Sequence, residues 1–245
     1  MQNITTKTIR EIAVEEPCTT RVFEQYKIDY CCHGNTPFDD ACRNAGVSPD
    51  IVSQKIYELL ELGTHNGVSL NSLNPTELID HILDRHHVYA KQEMAQLTPL
   101  LEKVTRKHGE HHPNLVEMKA VFQDLCDDLN PHMFKEEAVL FPYIKELEEN
   151  SLNKMNGSSP PFGTVLNPVR MMRMEHDKVG SLLTKMRSLT KDYELPDEAC
   201  PSFTALYHRL EELERDLHQH IHLENNLLFP RAVDLEQKVF SSAVR

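Results

Sequence analysis

Nowhere in this chain is there an uninterrupted apolar run of about 18 residues, the least that crosses a bilayer, so no membrane-spanning segment is expected. Basic residues are scarce: 26 Lys and Arg stand against 38 Asp and Glu, a net charge of −12 with His neutral. That deficit excludes non-specific binding to nucleic acid or to an anionic membrane, since both require a basic surface. Glycine is sparse, at 8 of 245 residues, and strand-like alternation is nearly missing, which leaves helices to carry the fold. The opening MQNITTKTIREIAVEEP lacks the basic-then-apolar layout of a signal peptide. Without an export signal, six cysteines are expected to be free thiols in a reducing compartment, the cytoplasm.

What is present is helical punctuation. Residues 1–65 read as a small domain of short helices. TPFDDACRNAG offers Thr36 as an N-cap, Pro37 at the first helical position and Gly46 past the end; SPDIVSQKIYELLELG repeats the scheme with Ser48, Pro49 and Gly63. A unit this small is expected to dock on another surface or to form a homodimer. The polar, turn-rich GTHNGVSLNSLN that follows is a linker, taken over 66–74. Asn74, Pro75 and Glu77 then form a capping box that opens a helix running to about residue 108, with Leu78, Ile79, Ile82 and Leu83 as its stripe. A second helix is expected over 114–149 with a bend at Pro131, then a crossover loop over 150–168. Third and fourth helices follow at about 168–191 and 201–237. The fold class is all-α: a four-helix bundle over 75–240 preceded by the small helical domain.

The bundle carries an internal repeat. HMFKEEAVLFP (132–142) and HIHLENNLLFP (220–230) share His, three residues, Glu, three residues, Leu-Phe-Pro, 88 positions apart. RHHVYA around His87 and MEHDKVG around His176 recur at 89 positions. Each half therefore offers one lone His and one His-x-x-x-Glu pair. Residues four apart share a helix face, so His132 points with Glu136 and His220 with Glu224. The apolar Leu140, Phe141, Leu228 and Phe229 turn that face toward the core.

One such pair alone is ordinarily a surface ion pair; two in matched frames, each with a lone His on the partner helix, are not. Buried carboxylates without partners are costly. A pair of metal ions resolves this, with glutamates bridging and neutral imidazoles capping. No Cys stands near these positions, which argues against thiolate zinc or an iron–sulfur cluster; the mixed donor set suits iron, with manganese or zinc as alternatives. The zinc-protease signature H-E-x-x-H is absent. The spacing of four also differs from the Glu-x-x-His of ferritin-like di-iron proteins. Among neighbours, His86 aligns with Glu175 in the repeat whereas His87 aligns with His176, so His87 is preferred. Glu137 has Asn225 as its counterpart and makes a poor bridge; Glu175 is a candidate supporter of a ligand. His218 and His222 project to other faces, and His81, His108, His111 and His112 read as solvated or capping.

The motifs PHMFKEEAVLFP, MEHD and HIHLENNLLFP, joined to DYCCHGN near the N-terminus, resemble those of the RIC (repair of iron centres) family. These are hemerythrin-like di-iron proteins that help restore iron–sulfur clusters damaged by nitric oxide or peroxide. The resemblance covers nearly the whole chain. It implies a ligand set of four His and two bridging Glu: His87, His132, Glu136, His176, His220 and Glu224, the same six that the repeat selects. It further implies two Fe ions in an oxo- or hydroxo-bridged centre, damaged or apo iron–sulfur proteins as partners, and nitric oxide or O2 as a small ligand. Repair by iron donation or by nitric oxide removal leads; a hemerythrin-like carrier or sensor and a di-iron nitric oxide or peroxide reductase are the rivals, and enzymatic turnover stays open.

Tyr30-Cys31-Cys32-His33-Gly34 stands in a turn of the small domain. Adjacent cysteines close a disulfide only with strain. Composition alone reads Cys31 and Cys32 as small buried hydrophobes; resemblance to the family's N-terminal Cys-Cys domain gives them a role as redox or iron-transfer thiols. Cys18, Cys42, Cys126 and Cys200 are read as packing residues.

Overall fold

In a computed structural model the described residues are 4–61, 70–153, 155, 157 and 160–242. They contain no strand; a lone bridge pairs Thr8 with Pro37. Four short helices come first: α1 (Ile9–Glu15), α2 (Thr20–Gln25), α3 (Phe38–Asn44) and α4 (Pro49–Glu61). Four long ones follow: α5 (75–108), α6 (114–153), α7 (Leu166–Leu189) and α8 (201–242).

α5 opens on the expected capping box. The Asn74 side chain accepts from the Glu77 N–H and the Glu77 carboxylate accepts from the Asn74 N–H, both at 2.9 Å. A second box, Thr8 with Glu11, opens α1. The cap assigned to Thr36 is not formed. Its carbonyl accepts from Ile9 N–H (3.0 Å) and the Phe38 N–H donates to Lys7 (3.0 Å), so residues 36–37 lie extended against 7–9 and α3 starts at Phe38. Gly46 follows α3 at φ +72°, the left-handed conformation that a helix-ending glycine supplies. Gly63, residues 66–69 of the expected linker, and 154, 156, 158 and 159 of the crossover loop lie outside the described residues. α6 passes through Pro131 and runs on to Asn153, and α7 begins at Leu166, which shortens the crossover at both ends.

The ladder is disturbed elsewhere. α5, α6 and α8 each contain one π turn, at Leu83–His87, Glu136–Leu140 and Leu223–Leu228. The N–H of Phe141 donates to the carbonyl of Glu136, and that of Phe229 to Glu224, five residues back. Pro142 and Pro230 come next, where the missing N–H does least damage to a ladder already displaced.

Apolar residues form three clusters. Ile9, Phe23, Phe38 and Ile56 centre the small domain. In the bundle, one cluster includes Leu97, Leu125, Leu183 and Leu210, and the other Ile79, Ile144, Val169 and Phe229. Each such side chain contributes about 1.5–3 kcal/mol by burial. Between the two bundle clusters lies a layer of buried His and Glu. The small domain docks on the bundle beside that layer: Asn226 Nδ2 donates to the Tyr30 carbonyl (3.0 Å), Arg10 to the Asn226 carbonyl (3.2 Å) and Gln219 to the Tyr30 hydroxyl (2.9 Å). Its need for a supporting surface is thus met within the chain. Among the described residues no helix is long and apolar enough to cross a membrane.

Candidate metal centre

Six polar side chains converge in the layer between the clusters, and they are the six that the repeat singles out. His87 comes from α5, His132 and Glu136 from α6, His176 from α7, His220 and Glu224 from α8. Each is at most 1% exposed. Their donor atoms fall into two groups: His87, Glu136, His220 and Glu224, and His132, Glu136, His176 and Glu224, with the atoms of each group within 4.8 Å of one another. Both glutamates belong to both groups. Glu224 divides its oxygens, Oε1 lying 2.9 Å from His220 Nε2 and Oε2 3.0 Å from His176 Nε2. Glu136 Oε2 lies 3.5 Å from His87 Nε2 and 3.4 Å from His132 Nε2.

The arrangement fits a pair of cations. His87 Nε2 and His220 Nε2 are 3.1 Å apart, and His132 Nε2 and His176 Nε2 3.0 Å. Two imidazole nitrogens bound about 2.1 Å from one ion at a right angle are about 3.0 Å apart. Neither oxygen of Glu136 has a hydrogen-bond partner. A buried carboxylate left so is expensive unless something positive belongs there. Burial pushes Glu136 well above the usual carboxylate range, and the neighbouring Glu224 adds to it. Glu224 is held well below that range although burial alone would raise it, because His220 and His176 face it. Burial drives His132 down to about 4 and lowers His220, so both imidazoles are neutral, the form in which they can ligate.

Outer groups aim the rings. His87 Nδ1 faces Glu137 Oε1 at 2.8 Å, His132 Nδ1 faces Glu175 Oε2 at 2.8 Å, and His176 Nδ1 faces Asn225 Oδ1 at 3.1 Å. An acceptor at Nδ1 fixes the proton there and turns the Nε2 lone pair inward. Lys91 (2.6 Å) secures Glu137, and Lys135 secures Glu175. These supporters obey the repeat: Glu137 and Asn225 are counterparts and serve the counterpart histidines His87 and His176. The fourth position breaks the rule. Glu175's counterpart is His86, which stacks on His220, and His220 Nδ1 has no hydrogen-bond partner.

Other expectations fare unevenly. His218 pairs with Glu24 (2.8 Å) and His222 packs edge-on against Tyr30, both away from the centre. His108 and His112 are not simply solvated: each packs edge-on to Phe203, and His108 Nε2 lies 3.2 Å from Cys200 Sγ. Cys200 packs against the larger bundle cluster, as expected of it, and has a second property. It is part-exposed at the N-terminus of α8, and backbone donors of Phe203 and Ser202 lower its thiol. Cys42 and Cys126 are buried, and burial raises them to about 11 and about 12. Cys31 and Cys32 are unbonded thiols with Sγ atoms 3.7 Å apart; they lie outside the six but beside them, Cys32 Sγ being 3.8 Å from the His176 carbonyl. The spacing of residues did not reveal the π turns or the supporting roles of Asn225 and Glu137. Proline two places after each Leu of Leu-Phe-Pro, inside a helix, was the available signal for the turns.

Comparison with known proteins agrees with this geometry. Residues 78–232 match the family model described as the hemerythrin HHE cation binding domain, and residues 5–60 match one described as a domain of unknown function. The iron-sulfur cluster repair protein ScdA of Staphylococcus haemolyticus is 33% identical over 221 residues, 90% of this chain and 95% of that protein. A probable iron-sulfur cluster repair protein of Haemophilus influenzae is 32% identical over 227 residues, 92% and 96% of the two chains. The iron-sulfur cluster repair protein YtfE of Yersinia pestis is 32% identical over 222 residues, 91% and 94%.

Proposed function

We propose the following function for this chain, which belongs to the hemerythrin HHE cation-binding family: it is a di-iron protein that repairs iron–sulfur clusters damaged by nitrosative or oxidative stress. The observation that carries the reading is the sharing of Glu136 and Glu224 between two groups of buried His and Glu, with both Glu136 oxygens lacking any other partner. His87 and His220 would hold one iron, His132 and His176 the other, and the two glutamates would bridge them. When bound, the pair supplies redox-active, exchangeable iron with coordination positions left over for a small ligand such as nitric oxide or O2. Each group offers four protein donors, short of the six an iron can take, so the centre is open rather than closed.

The chain's own residues account for the rest. Glu137, Glu175 and Asn225 accept at Nδ1 of His87, His132 and His176 and keep those rings aimed. The bundle's apolar clusters exclude water on both sides of the layer, which strengthens the charge interactions within it. Glu136 takes no hydrogen bond from the imidazoles around it, which leaves its oxygens for the ions. Damaged or apo iron–sulfur proteins are the expected clients, and the cytoplasm the expected compartment. Their names support the same activity in the relatives ScdA and YtfE.

The test is restoration of an apo or nitrosylated iron–sulfur protein by the iron-loaded chain. Wild type restores the cluster, and Glu136→Ala/Glu224→Ala does not. Equal restoration by the variant rules out a metal-based repair.

A further inference from the structure

We propose that Asp29, Cys31 and Cys32 form a second metal site, for a single thiophilic divalent cation, at the seam between the small domain and the bundle. The two Sγ atoms are 3.7 Å apart, Cys31 Sγ lies 3.4 Å from Asp29 Oδ1, and all three donors lie within 4.8 Å of one another. Two thiolates about 2.3 Å from one ion at a tetrahedral angle stand about 3.8 Å apart, and a thiolate and a carboxylate oxygen about 3.5 Å. Two edges of a tetrahedral site are therefore matched by the separations observed.

The backbone explains how neighbouring cysteines reach this geometry. Asp29 Oδ1 accepts from the N–H groups of Cys31 (3.1 Å) and Cys32 (2.9 Å), winding the turn so that both thiols face one side. Asn225 Nδ2 donates to the Cys31 carbonyl at 3.2 Å and pins the turn to α8. A cavity of about 350 Å³ opens on the pair. Glu24, Asp177 and Glu214 also line it; Arg187 pairs with Glu214, His218 with Glu24, and Lys27 with Asp192. Binding displaces two thiol protons to solvent, and no electron moves.

Two contacts join the site to the centre: Cys32 Sγ lies 3.8 Å from the His176 carbonyl, and Asn225 spans both. Asn225 holds the Cys31 carbonyl with its amide nitrogen and faces His176 Nδ1 with its amide oxygen. An ion on the thiols would sit one amide away from His176 of the His/Glu centre; the thiol site does not depend on the proposed di-iron function.

The experiment titrates Cd²⁺ into the full chain after its His/Glu centre has been loaded with iron, following thiolate-to-Cd²⁺ charge-transfer absorbance and bound Cd²⁺. Wild type binds one Cd²⁺ with the band. Cys31→Ser/Cys32→Ser shows none, with iron content and helical circular dichroism unchanged. Asp29→Asn binds about ten-fold more weakly. No band in wild type, or a band surviving in the double serine variant, overturns the site; unchanged affinity in Asp29→Asn overturns the three-donor assignment. In Glu136→Ala/Glu224→Ala the band persists. If wild type takes up the Cd²⁺ but no iron, the thiol site stands and the di-iron reading fails.

Discussion

The ring of His86 lies flat against that of His220, centroids 5.8 Å apart and planes 12° from parallel, while His86 Nδ1 faces Asp216 Oδ1 at 2.9 Å. His86 occupies the place that the repeat gives to Glu175. Glu175 holds His132 by its Nδ1; His86 offers His220 only a face. The duplicated halves are therefore unequal around the buried His and Glu layer.

Iron release should reveal that inequality. A ligand imidazole without an outer acceptor typically binds about 10–100-fold less tightly. A chelator mixed with the iron-loaded chain is expected to remove iron in two phases, first from the His87–His220 side. His86→Glu gives His220 Nδ1 an acceptor and should slow the first phase toward the second. Single-phase release from wild type would contradict the asymmetry.

Glu136 is a liability to the metal-free fold. It is fully buried and neither oxygen is hydrogen-bonded, a state that costs about 1–3 kcal/mol. Glu136→Leu should therefore raise the unfolding free energy of the chelator-treated protein by about that amount, while removing the further stabilisation that iron gives wild type. Denaturant titration with and without iron checks both signs. A destabilised metal-free variant would mean that Glu136 has a partner in the folded chain.

Thiol reactivity should rank by local environment. Backbone N–H groups at the start of α8 lower Cys200, and it is only part-buried, whereas burial raises Cys18, Cys42 and Cys126. A lowered value enlarges the thiolate fraction at a given pH, so alkylation of Cys200 should begin at lower pH than that of the other three. Peptide mapping after timed iodoacetamide treatment reads the order, and Cys200→Ser removes the first-modified site. Prior labelling of Cys42 or Cys126 would reverse it.

Much of this molecule was legible in the residues because helix signals are local. The Asn74–Pro75–Glu77 box and the apolar stripe of α5 placed a helix where one is found. The His-x-x-x-Glu frames worked because a spacing of four puts two side chains on one face, whatever the tertiary packing. Where a distant segment decides, the local rule failed: Thr36 reads as a cap, but pairing with residues 7–9 draws it into extended backbone. The supporting groups were hidden for the same reason. That Asn225 serves both His176 and Cys31 depends on how the small domain docks, and no spacing in the chain records it. Cys200 packs as its composition suggests, but the lowering of its thiol comes from a helix terminus, which composition does not record.

Iron content per chain, measured by elemental analysis on protein reconstituted anaerobically and freed of loose metal, decides whether the buried His and Glu layer holds a metal pair. Wild type should carry about two irons, lost when Glu136 and Glu224 are both replaced by alanine with the helices intact. A wild-type chain holding one iron or none, or a double variant that keeps both, would contradict it.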